Sequence, residues 1–141
     1  MKGLKNMNLI IDTNVALDLA LKRDGFFESS SKAVRFALSH GHRLHFLTSS
    51  VTDYHYILKR NGISEENSLL SIKNLASYTS FAPVDEQCIY QALESDITDF
   101  EDAVIDAVAA NIHADYILTR NKKDFEHSKV KAITPEEFLA L

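Results

Sequence analysis

Five short apolar runs alternate with helix-spaced segments, at residues 8–12, 44–48, 79–84, 115–119 and 129–133, and no hairpin turn signal joins any two of them. Strands that tight turns cannot connect need crossovers, which are right-handed and carry helices onto both faces of a parallel sheet. The expected fold class is therefore α/β: a three-layer α/β/α sandwich around a central, mostly parallel five-stranded sheet. The third run is the weakest strand, because Pro83 removes a ladder donor.

Between the runs, residues 13–21 carry apolar side chains at helical spacing. A second helix is expected at about residues 28–39, with Ala33, Phe36 and Ala37 on one face and Gly41 suited to its left-handed end. Ser49 or Ser50 can cap a helix that places Val51, Tyr54, Ile57 and Leu58 at spacings of three and four. Further helices are expected from Ser64 to about residue 76, over 86–95 and 100–113, and from Pro135 onward. With 141 residues, 45% of them hydrophobic, and only four Gly and two Pro, residues 1–141 read as a single domain. No apolar run is long enough to span a bilayer and nothing resembles a signal peptide. Cys88 stands alone, so the cytoplasm is the expected location.

In open parallel sheets, ligands bind beyond the carboxyl ends of the strands. Asp12 ends the first strand and Thr119-Arg120-Asn121 ends the fourth. Thr48-Ser49-Ser50 ends the second, and Asp53 follows within one helical turn. Asp12 taken alone is explained slightly better as a helix cap than as a catalytic acid, and Asp99 reads as the cap of the Ala-rich helix that follows it. Asp102 and Asp106, four residues apart, share a face of that helix and would carry two carboxylates towards the sheet edge, Asp102 nearer the strand ends. Acids without Cys or His at ligand spacing suit Mg2+ or Mn2+, which can activate water for phosphodiester cleavage without a protein nucleophile. Neither a Gly-rich phosphate loop nor a G-x-S-x-G elbow is present. The formal charge of -5 argues against a polyanionic substrate, but assigning Asp12, Asp53, Asp102 and Asp124 to metal removes most of that excess.

Three blocks together resemble the PIN-domain nucleases, a family that includes the toxin halves of VapC-type toxin-antitoxin pairs. They are Ile11-Asp12-Thr13-Asn14-Val15, Asp99-Phe100-Glu101-Asp102-Ala103 and Thr119-Arg120-Asn121-Lys122-Lys123-Asp124-Phe125, in an order that spans nearly the whole chain. The resemblance implies a PIN-like fold and a divalent-metal-dependent endoribonuclease, with Asp12 and Asp102 binding Mg2+ or Mn2+ and positioning the attacking water. Asp53 stands near the position where the family usually has a Glu. Asn121 replaces the family's fourth acid, and Asp124, three residues on, is the alternative ligand. Thr13, Asn14 and Thr119 would orient the carboxylates, and Arg120 and Lys122, with Lys123, would touch the RNA backbone unless this charge run is simply solvated. An RNA substrate, an antitoxin partner and a homodimer are further implications. The competing reading is a PIN-like fold that has lost catalysis and binds RNA or protein, with Asn121 as its trace. His40, His42 and His45 are expected at the surface and Tyr54 in the core; Tyr56 could stack on bases.

Overall fold

The computed structural model describes residues 6–141, so the first five residues of the expected domain lie outside the described residues. The strands are β1 (Asn8–Ile11), β2 (Arg43–Leu47), β3 (Ser80–Ala82), β4 (Tyr116–Leu118) and β5 (Ala132–Ile133). They form one sheet in the order β3-β2-β1-β4-β5, and every pair is parallel. The expected architecture holds, sharpened from mostly to wholly parallel among these strands.

The apolar run of β1 explains why the sheet is covered twice. Its two-residue period sends Leu9 and Ile11 into one core cluster and Ile10 into the other. The first core is built with α1 (Thr13–Leu21), α2 (Phe27–Ser39), α3 (Val51–Arg60), α4 (Glu65–Tyr78) and α7 (Pro135–Leu139). The second is closed by α5 (Glu86–Leu93) and α6 (Phe100–Asn111), whose Ala103, Ala107 and Ala109 let the helix lie close to the sheet. Ser64, Asp85, Asp99 and Thr134 each accept the backbone N–H of the third helical residue, each such cap contributing about 1 kcal/mol. Among the described residues no helix is long and apolar enough to cross a membrane.

Three local expectations are corrected. No serine caps α3: a 3₁₀ turn at Thr48–Ser50 runs directly into it, with Ser50 already helical and making no cap bond. The fifth strand is two residues rather than five, because the N–H groups of Lys129 and Val130 are taken by the Asp106 carboxylate at 2.9 and 3.0 Å instead of by a neighbouring strand. His42 is not a surface residue; its buried ring accepts the Met7 N–H at Nδ1, 3.0 Å away, and so ties down the chain entering β1.

The chain leaves β1 towards β2 and β3, then returns to build β4 and β5 on the other side of β1. This reversal opens a crevice past the carboxyl ends of β1 and β4. Asp12 and Thr119 stand at its floor.

Candidate active site

Asp12 directly follows β1, and its N–H donates to the Leu118 carbonyl at 2.9 Å, which joins it to the end of β4. It occupies the N-cap position of α1, yet its side chain makes no capping bond. Instead Oδ2 accepts from Thr119 Oγ1 at 2.8 Å, and that same hydroxyl oxygen accepts the Asn121 N–H at 3.0 Å. Thr119 is therefore fixed from both sides and holds the Asp12 carboxylate in one orientation. Asp12 does not serve as the helix cap that its position alone suggested.

Asp12 opens into a cleft of about 610 Å³ that is also lined by Asp53 from α3, by Asp99, Glu101 and Asp102 at the start of α6, and by Asn121 and Asp124 after β4. Among the described residues one cation, Arg60, lines it. Like charges so gathered disfavour ionisation. The Asp102 carboxyl is pushed up to about 7, first by burial and then by Asp12, Asp99, Asp124 and Glu101. Burial also raises Asp12, against the pull of its Thr119 bond, and raises Glu101, which feels Asp53 and Asp12 as well. At the same wall the buried Thr13 Oγ1 has no hydrogen-bond partner among the described residues, an arrangement that costs about 1–3 kcal/mol unless water or a ligand meets it.

Among the described residues no three acidic, His or Cys side chains are already gathered as a metal cage. The donors are nonetheless all oxygens, and their mutual repulsion is what a divalent cation relieves. Such a set fits a cation that keeps most of its waters and takes one or two carboxylates directly.

The cleft brings together Asp12, Thr13, Asn14, Asp53, Asp102, Asn121 and Asp124 from the sequence-based set. It does not include the basic pair. Arg120 donates from Nε to the buried Asp18 at 3.0 Å and lies over the Phe26 ring at 4.0 Å, and Lys122 pairs with Glu137 at 2.8 Å. Asp106 is likewise no companion of Asp102: it is buried, and both of its oxygens accept backbone N–H groups from the segment before β5. Glu101 and Arg60 are additions. Arg60 was open to detection, because Asp53, Tyr56 and Arg60 recur at helical spacing on one face of α3. Glu101 had no such signal, since only the first turn of α6 aims neighbouring residues into one crevice.

No match emerges from comparison with curated protein sequences. Among solved structures, the chain is similar in fold to VapBC2 from Rickettsia felis, solved bound to a promoter DNA fragment. The identity is 14% and the TM-score 0.74, covering 91% of this chain and 98% of that one. It is also similar to a toxin-antitoxin complex from Klebsiella pneumoniae, at 18% identity and a TM-score of 0.68, over 90% and 97% of the two chains. VapC20 from Mycobacterium tuberculosis, described as a sarcin-ricin loop cleaving toxin, follows at 16% identity and a TM-score of 0.62, over 77% and 86%. Likeness at such low identity is likeness of fold. The sequence itself goes further: the PIN domain family model matches residues 8–123, from the start of β1 through the acids of α3 and α6 to the loop after β4, so the chain belongs to the PIN-domain family.

Proposed function

We propose that this single-domain chain is a divalent-metal-dependent endoribonuclease, and the toxin of a toxin-antitoxin pair. The observation that carries this reading is the cleft itself: Asp12 and Asp102 share it with further acids, and burial and mutual repulsion push the Asp102 carboxyl up to about 7. A site left in that condition is poised for an added positive charge.

Asp12 and Asp102 would hold the cation, with Asp53, Asp124 and Asn121 available around them, and Mg2+ or Mn2+ suits these oxygen donors. When bound, the ion supplies Lewis acidity, making water a nucleophile near neutral pH and offsetting charge on the phosphate. The remaining work falls to the chain. Thr119 keeps Asp12 oriented through its 2.8 Å bond, and Asn121 is fixed in turn by its N–H on Thr119 Oγ1. Asp102, in the first turn of α6, would with Asp12 position the attacking water.

Purified protein incubated with structured RNA and Mg2+ or Mn2+, beside Asp12→Asn and Asp102→Asn, tests this. Cleavage by the native chain alone is expected, with loss on chelation. Equal cleavage by all three proteins removes the site. Asn121 motivates the second reading, a PIN-like module that binds without cutting; RNA binding with no cleavage under either metal would favour it.

The solved relatives include a VapBC complex and a toxin-antitoxin complex, which supports an antitoxin partner for this chain. Co-purification with the product of a neighbouring small reading frame, together with loss of nuclease activity in the complex, is the expected result. A homodimer in the cytoplasm completes the proposal, and sedimentation of the purified chain tests the dimer.

A further inference from the structure

α3 turns Asp53, Tyr56, Ile57 and Arg60 towards the cleft along one face. Asp53 belongs with the acids, but the far end of this stripe has different chemistry. Tyr56 is 60% exposed, whereas Tyr54 on the same helix is 3% exposed and bonded to Ser71. The Arg60 guanidinium lies 5.6 Å from the centre of the Tyr56 ring, within cation–π range. Among the described residues no carboxylate pairs with Arg60, although it borders a cleft that is otherwise acidic.

The acids that would cut a phosphodiester also repel it. A strand reaching Asp12 and Asp102 therefore needs an anchor on the rim, and the expected basic residues do not line the cleft, because Arg120 is bound to Asp18 and Lys122 to Glu137. An exposed ring beside an unpaired guanidinium offers what a nucleotide requires: a face for the base and a positive charge for the phosphate. We propose that Tyr56 and Arg60 are the substrate grip of this cleft, Tyr56 stacking on one unpaired base and Arg60 holding the adjoining phosphate. The inference rests on the nuclease reading. A base stacked within a duplex cannot offer its face, so the grip acts on single-stranded segments.

The test is RNA binding in the cleavage-deficient Asp102→Asn background with Mg2+, using a short labelled single-stranded RNA of mixed sequence and the same sequence as a duplex. Tyr56→Ala and Arg60→Ala are each expected to weaken single-strand binding about tenfold. Tyr56→Phe, which keeps the ring, should retain affinity, and Arg60→Ala should lower the salt slope by about 0.7, one phosphate contact on a single strand. Unchanged melting temperatures separate these effects from misfolding. In otherwise native protein both alanine variants should raise KM with kcat little changed. Parental affinity in the Tyr56→Ala protein, or no binding of single-stranded RNA by the parent, overturns the grip. Native cleavage with KM unmoved in both variants removes the grip and keeps the nuclease. Tyr56-dependent binding by a protein that cleaves nothing removes the nuclease and keeps the grip.

Discussion

Asp18 and Asp12 lie at the two ends of one short stretch of chain, and both are buried, yet their surroundings are opposite. Asp18 is met by Arg120 at 3.0 Å and Arg23 at 3.4 Å, although burial still holds its carboxyl above the ordinary value. Asp106 repeats that pattern with two backbone N–H groups. Asp12 has the Thr119 hydroxyl but no ion pair among the described residues, burial outweighing the pull of Thr119, Thr13 and Arg120 on its carboxyl, and every neighbouring charge that acts on Asp102 is negative. The contrast separates acids that hold the fold together from acids left to repel one another in an open cleft. A buried carboxylate with matched donors is architecture, and one facing its own kind is a burden that a bound cation would relieve.

Removing a matched acid should do the most damage. Asp18→Ala leaves two guanidiniums facing a void and is expected to lower stability by about 3 kcal/mol in urea unfolding. A change under 0.5 kcal/mol would break the comparison from this side. Removing an acid from the cleft should do the reverse. Asp102→Asn is expected to reduce RNA cleavage roughly a hundredfold or more while leaving the urea midpoint unchanged or higher.

The pH dependence of the metal-free protein sharpens this. The Asp102 carboxyl stands at about 7 in the folded chain against an ordinary 3.8, so the native state binds its proton more tightly than the unfolded state does. Stability should therefore fall as pH rises from 3.8 towards 7, and Asp12 and Glu101 act in the same direction. Melting scans should show the decline, Asp102→Asn should reduce it, and added Mg2+ should reverse it by binding the ionised acids. A profile that rises over this range would show that the acids do not burden one another.

Smaller effects test the margin. Asn121→Asp adds a carboxylate to the cleft and should tighten Mg2+ binding several-fold by titration calorimetry while lowering metal-free stability. Lys122→Ala breaks only an exposed pair with Glu137, and should leave the melting temperature and RNA cleavage essentially unaltered.

Much of this contrast was open to reading along the chain. The apolar run ending at Asp12, the cap at Asp99 and the polar cluster at Thr119 are local signals, and each is where the strand ends and helix starts required it. That the Asp12 side chain does not cap its helix shows only in three dimensions, where it accepts instead from Thr119, more than a hundred residues away in sequence. Asp106 misled because helical spacing places it beside Asp102, while its true partners arrive from the segment before β5. Arg120 misled in the same way: it follows Thr119 at the strand end, but a buried acid on α1 claims it. His42 looked like a solvated turn residue until the chain entering β1 bonded to its ring.

By itself, the sequence determined the alternation of strands and helices, the two-sided burial of β1 and the presence of acids at the carboxyl ends of strands. Periodicity and turn chemistry act over a few residues, so these are written locally. Only the tertiary structure decided which acids are neutralised and which are left to repel one another, and that Arg60 and Tyr56 border the cleft while Arg120 does not. A carboxylate's energy depends on whichever charge or N–H group comes within a few ångströms, and in a crossover fold that neighbour arrives from elsewhere in the chain.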